Sequence, residues 1–138
     1  MRILAIDFGL KRTGLAVTDP ARIIASALDT VPSAELMDYL KRYVAKEAVE
    51  GFVVGMPCNL DGTPTDITAN VRLFMTELKR QFPRQWVETA DERFTSVIAQ
   101  RTMLASGIGK KARREKGTVD RISAVLILQG WMDRSRGR

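Results

Sequence analysis

The stretch Ile3-Leu4-Ala5-Ile6-Asp7-Phe8-Gly9-Leu10-Lys11-Arg12-Thr13-Gly14-Leu15-Ala16-Val17 decides how this chain is read. An apolar run leads into one aspartate. Gly9 and Gly14 follow, with Lys11 and Arg12 between them, and a second apolar run begins. A carboxylate at the end of a buried strand is costly unless something uses it. Glycine lets a backbone turn tightly and approach a ligand closely. The stretch therefore reads as a β-hairpin that places Asp7 in an active site near a phosphate or a metal. The plain alternative is a turn and nothing more, since Asp and Gly are common turn residues. The acids and bases downstream decide between them.

Working outward, residues 13–18 read as a second strand and Asp19-Pro20 as a turn. Residues 22–28 read as a third strand, which makes an antiparallel meander. Pro32-Ser33 offers a helix start with Ser33 as cap. Leu36, Leu40, Tyr43 and Val44 then recur at helical spacing. Residues 51–55 form a short continuous apolar strand of the buried, parallel kind. A second helix is expected from Thr65 or Asp66, with Ile67, Val71, Phe74 and Leu78 inward. Residues 86–90 give the fifth strand. Thr95 or Ser96 can cap a third helix that runs through Ala105 and stops at Gly107. A last helix over about 118–132, apolar on most sides, should be largely buried. The fold class is α/β: a five-stranded mixed sheet, with an antiparallel meander followed by parallel crossovers, flanked by helices.

At 138 residues one domain over 1–138 is expected, with 134–138 a frayed basic tail. Such a chain can bury a core without disulfides or zinc. The single cysteine, Cys58, has no zinc-binding pattern around it, which fits a reduced cytosolic setting. No apolar run is long enough to span a membrane, and no secretory signal is expected. The 22 Lys and Arg outweigh 16 Asp and Glu, a net charge of +6, which favours a polyanionic partner. The chain has no histidine. That excludes Ser-His and Cys-His catalysis and leaves carboxylates, lysines, tyrosines, Cys58 or metal-bound water.

The acids point to one edge. Asp7 ends the first strand, Asp91-Glu92 follows the fifth, and Asp120 sits early in a nearly apolar helix. Strands one and five should be parallel, so their carboxyl ends share the edge where open α/β sheets bind ligands. Carboxylates drawn together raise each other's pKa unless a cation is present. Mg²⁺ or Mn²⁺, two ions in the fullest case, would remove that conflict and serve phosphodiester hydrolysis without histidine. The plainer roles are helix-dipole stabilisation for Asp120 and pairing with Arg93 for Asp91 or Glu92. The basic loop carrying Lys110, Lys111, Arg113, Arg114 and Lys116 precedes Asp120 and suits a nucleic-acid backbone; otherwise it is a solvated loop. Arg12 and Arg93 are further phosphate candidates. Trp86 and Trp131 read as core or interface residues, with no platform for stacking single-stranded bases.

Four blocks in order resemble one family. They are Asp7-Phe8-Gly9 with Arg12 and Gly14-Leu15-Ala16; Val53-Val54-Gly55-Met56-Pro57 with Asp61-Gly62-Thr63; Asp91-Glu92-Arg93-Phe94-Thr95-Ser96; and Lys116 with Asp120 and the apolar run from Ala124 to Leu128. Together they resemble the YqgF family, small bacterial RNase H-like proteins described as pre-16S rRNA nucleases and as Holliday-junction-resolvase-like. The resemblance covers nearly the whole chain. It implies an RNase H-like fold, a cytoplasmic location and metal-dependent cleavage in 5′-end processing of 16S rRNA. By position it implies that Asp7, Glu92 and Asp120 are the acidic triad and metal ligands, with Asp91 able to share or take the role of Glu92. Ser123 departs from the family's usual pair of alanines. Asp133 lies too far along the last helix to be a fourth acid.

Three function classes remain open at this level. A nuclease would act on structured RNA, either pre-16S rRNA or the precursor ribosomal particle. A branched-DNA resolvase would share the site but should be a two-fold dimer rather than a monomer. A non-catalytic RNA-binding module would bind equally well in EDTA. An actin-like nucleotide clamp is disfavoured because the chain is too short for two such domains.

Overall fold

The computed structural model describes residues 1–56, 66–91 and 116–136. The strands are β1 (Arg2–Asp7), β2 (Arg12–Thr18), β3 (Ala25–Pro32), β4 (Val49–Met56) and β5 (Trp86–Asp91). The helices are α1 (Leu36–Lys46), α2 (Thr68–Gln81) and α3 (Lys116–Arg136), and a 3₁₀ turn at Ser33–Glu35 precedes α1. The third helix of the sequence reading, through Ala105, lies outside the described residues, as does its second-helix start at Thr65.

The sheet runs β3-β2-β1-β4-β5. β1 pairs antiparallel with β2 and parallel with β4, and β4 pairs parallel with β5. The expected mixed sheet is therefore present, with β1 at its centre. Centrality explains why β1 is apolar on both faces. Leu4 and Ile6 join Leu15, Phe52, Val54, Leu36, Leu40, Val71 and Leu78 in one core, under α1 and α2. Ile3 and Ala5 join Ala16, Val53, Ala90, Ala124, Ile127, Leu128 and Met132 in the other, under α3. Each fully buried Leu, Ile or Phe contributes about 1.5–3 kcal/mol of transfer free energy.

Several boundaries differ from expectation, three of them by more than a residue or two at the turns around β3 and at the end of α3. β3 begins at Ala25 rather than Arg22, because the Asp19 carboxylate accepts the backbone N–H groups of Ile23 and Ile24 at 2.7 and 2.8 Å. Those amides close a turn with Arg22 in the left-handed region (φ 59°). The same N–H groups, that of Ile24 foremost, hold the Asp19 pKa below its ordinary value. β3 then runs on to Pro32, which an edge strand tolerates. Ser33 caps no helix. Its hydroxyl donates to the Gly9 carbonyl at 2.5 Å and shares a 2.9 Å hydrogen bond with Thr13 Oγ1. Its N–H donates to the Lys11 carbonyl at 2.9 Å, so Ser33 stitches the turn after β1 to the start of α1. α3, finally, reaches Arg136, so Arg134 and Ser135 are helical. Only its face with Ala124, Ile127, Leu128 and Met132 is buried; Val119, Ile122, Val125 and Leu126 are half-buried, because one side of the helix meets the sheet.

Gly51 of β4 stands opposite Trp86 of β5. A Cβ there would overlap the Trp86 ring, so the missing side chain makes room for the indole. Trp86 stacks on Trp131 of α3 with centroids 5.3 Å apart. Both tryptophans serve packing, as their sequence context suggests. Among the described residues no helix is long and apolar enough to cross a membrane.

Candidate active site

Strand alternation in β1 puts Asp7 on the face of Ile3 and Ala5, which is the face α3 covers. Asp7 stands directly opposite Gly14 of β2. Gly14 in turn stands opposite Thr30 of β3. A Cβ on Gly14 would overlap the Asp120 carbonyl and lie 2.9 Å from the Asp120 Cβ. The first turns of α3 thus rest directly on Gly14, and this seats Asp120 beside the end of β1. The sequence reading assigned the glycine's freedom to a ligand or a tight turn. At Gly14 it serves helix approach instead, since its φ is an ordinary one. At Gly9 the tight turn is real: a Cβ there would overlap the Arg12 carbonyl.

Arg12, two residues before Gly14 on the same face of β2, donates from Nε to Asp120 Oδ2 at 3.0 Å. The pair is half-exposed, with side chains 39% and 23% accessible, so it is within reach of solvent and solutes. The sequence pointed to Arg12 as a phosphate contact and to Asp120 as a metal ligand; the structure brings the two together. A cation at the Asp120 carboxylate is thus already part of the geometry. Asp7 and Asp120 supply the oxygen donors that hard divalent ions prefer. The residues present therefore fit a Mg²⁺ or Mn²⁺ site with Asp7 and Asp120 as holders. Among the described residues no group of three or more Asp, Glu, Cys or His side chains converges.

The other strands end at the same edge. Gly55 of β4 pairs with Ala90 and Met56 with Asp91, and Ile6 pairs with Val54 one position earlier. The carboxyl ends of β1, β4 and β5 are therefore level. Glu92, Arg93, Lys110, Lys111, Arg113 and Arg114 lie outside the described residues. Lys116 opens α3, four residues before Asp120.

Sequence reasoning missed one charged residue here. Arg121 follows Asp120 in α3, and its Nη1 donates to Thr30 Oγ1 at 3.3 Å while Nη2 lies 3.5 Å from Thr118 Oγ1. A cation directly after Asp120, just before the apolar stretch of the helix, was the available signal.

Comparison with known proteins places the chain in a family. The family model described as "RuvX: Holliday junction resolvase" matches residues 1–134. A protein of Porphyromonas gingivalis named "Putative pre-16S rRNA nuclease" is 51% identical over 132 residues, covering 96% of each chain. One of the same name from Bacteroides thetaiotaomicron is 47% identical over 135 residues, covering 98% of each. Among solved structures, Thermus thermophilus RuvC with a Holliday junction substrate superposes with a TM-score of 0.61 at 15% identity, covering 99% of this chain and 97% of that one. Fowlpox virus resolvase with Holliday junction DNA gives 0.60 at 12% identity, covering 98% and 99%. At such identities these two structures speak for the fold, which is RNase H-like. With the hairpin of Asp7, the glycine seat of Asp120 and a family match over nearly its full length, this chain belongs to the RuvX family, the YqgF-type proteins that its sequence resembles.

Proposed function

We propose that this protein is a divalent-metal-dependent nuclease that hydrolyses phosphodiester bonds of structured RNA, in 5′-end processing of pre-16S rRNA. The observation that carries the reading is the row Asp7–Gly14 with Asp120 seated on the glycine. It brings two acidic residues to the same edge of the sheet, and carboxylates drawn together there would be stabilised by a shared cation. Asp7 and Asp120 would hold Mg²⁺ or Mn²⁺, two ions in the fullest case, with Glu92 as the third carboxylate. When bound, such ions supply an activated water and neutralise charge gathering on the phosphodiester.

The chain's own residues do the rest. Asp7 is carried by β1 at the sheet's centre and Asp120 by the Gly14 seat, so the backbone that bears each carboxylate is set before substrate binds. Arg12 neutralises Asp120 and is placed to turn its guanidinium toward a substrate phosphate, a geometry suited to that group. Arg93, Lys110, Lys111, Arg113, Arg114 and Lys116 extend the cationic surface along the substrate backbone. The protein acts as one domain over residues 1–138, in the cytoplasm. The relatives named for pre-16S rRNA support the RNA substrate.

The family's resolvase description supports a second reading, branched DNA. The test is cleavage of labelled 16S precursor RNA and of a four-way DNA junction, each with Mn²⁺ or EDTA, by wild type and Asp7→Asn. Metal-dependent cutting of the RNA, lost in Asp7→Asn, is expected. Cutting of the junction alone would shift the assignment to the resolvase. RNA binding that survives EDTA without cleavage of either would leave a binding module.

A further inference from the structure

Three arginines with described side chains are half-buried: Arg2, Arg12 and Arg121. Arg2 pairs with Glu47 and Arg12 with Asp120. Arg121 has no carboxylate within ion-pair distance among the described residues. Its contacts are two neutral threonine hydroxyls at 3.3 and 3.5 Å, the long end of hydrogen bonding. A guanidinium carries five donors in a rigid fork, and withdrawing that charge from water without an anion is costly. Arg121 is thus held in place, partly desolvated and, among the described residues, short of an anionic acceptor.

Its position says which anion. Asp7, Gly14 and Thr30 form one row across β1, β2 and β3. Neighbouring strands are about 4.8 Å apart, so Thr30 lies about 10 Å from Asp7 along that row. That distance spans only a few nucleotides of one strand.

We propose that Arg121, braced by Thr30 and Thr118, is a phosphate subsite for the substrate strand close to the phosphate being cut, on the β3 side of the active site. This rests on the nuclease reading above. It gives the strand a direction over the protein: from the Asp7–Asp120 edge across β2 toward the exposed edge strand β3. Arg12 and Arg121 then flank Asp120 as successive backbone contacts.

The experiment uses the full chain in an Asp7→Asn background, so that bound nucleic acid stays intact. The probe is a fluorescently labelled fragment of 16S precursor RNA, titrated across a series of salt concentrations. Arg121→Gln is expected to weaken binding about tenfold and to lower the slope of log Kd against log salt by about 0.7–0.9. Unchanged affinity and slope, while the Asp7→Asn parent binds, would overturn the subsite and leave the nuclease reading standing. A parent that binds no RNA would sink both. A purely structural Arg121 would instead lower Tm and leave the slope alone. Should Arg121→Gln not fold, Arg121→Lys decides. It is expected to keep the slope, having kept the charge, but to bind about two- to threefold more weakly without the fork. Affinity equal to the parent's would overturn the proposal.

Discussion

Gly14→Ala tests the geometry on which the site depends. The new Cβ would overlap the Asp120 carbonyl and stand 2.9 Å from its Cβ. Carbon atoms rest at about 3.5–4.0 Å, so the start of α3 must retreat by about 1 Å. The obstacle is backbone, which has no rotamer to change. Overpacking of this kind costs about 1–3 kcal/mol, offset by about 0.4–1 kcal/mol from the stiffer unfolded chain. Tm should fall by up to about 9 °C for a domain of this size. The larger effect should be functional. Asp120 moves away from Asp7, and a 1 Å misplacement of a catalytic group can cost about 100-fold in rate. The assay is single-turnover cleavage of labelled 16S precursor RNA in Mn²⁺, with calorimetry on the same protein. A rate within about twofold of wild type would refute the reasoning, whatever the Tm. It would mean that the seat of α3 on β2 does not set the spacing of the carboxylates.

Gly130→Ala is the contrasting substitution: its Cβ would meet only Arg134 Nη1, at 3.7 Å. It should stabilise α3 by up to about 1 kcal/mol, raising Tm in a thermal melt with activity unchanged; a lower Tm would contradict the open space assigned there. Asp120→Asn should cost less than about 1 kcal/mol without metal, because the pair with Arg12 is half-exposed. Mg²⁺ should then raise the melting temperature of wild type more than that of the variant; equal shifts would remove Asp120 from the metal site. Glu77 of α2 is held by hydrogen bonds from Arg80, Nε at 3.0 Å, and from Gln81 at 2.8 Å, which lower its pKa from 4.5 to about 2, the Arg80 contact contributing most. A depressed carboxylate contributes stability that is present above its unfolded value near 4.5 and lost as pH falls toward 2. Carboxyl NMR should place the Glu77 midpoint near 2 and return it toward 4.5 in Arg80→Ala; a wild-type midpoint already near 4.5 would rule out that contact in solution.

The sequence by itself determined the elements, their order and the edge at which the chemistry collects. Unbroken apolar runs in β1 and β4 can be buried only on both faces of a sheet. The spacing of Leu36, Leu40, Tyr43 and Val44, and of Ile67, Val71, Phe74 and Leu78, fits no period but the helical one. Asp7 was legible because a carboxylate closing an apolar strand has few structural uses. These are signals within a few residues of one another, set by backbone periodicity and by the cost of burying charge. Boundaries were less legible, because side chains compete for the same backbone donors. Asp19 takes the amides that would have begun β3, and Ser33 spends its hydroxyl on Gly9 and Thr13 instead of on a helix end.

Tertiary structure alone decided how the site is assembled. Arg12 and Asp120 are 108 residues apart, and no local pattern says that a β2 guanidinium will meet an α3 carboxylate. Gly14 looked like a turn or ligand glycine until the Asp120 backbone was found resting on it. Arg121 passed unnoticed because a cation beside Asp120 gains meaning only when Thr30 is seen across from it. The physical reason is common to all three. Local sequence fixes the direction in which a side chain leaves its own element, but its partner is fixed by the close packing of two elements that the chain joins only at long range.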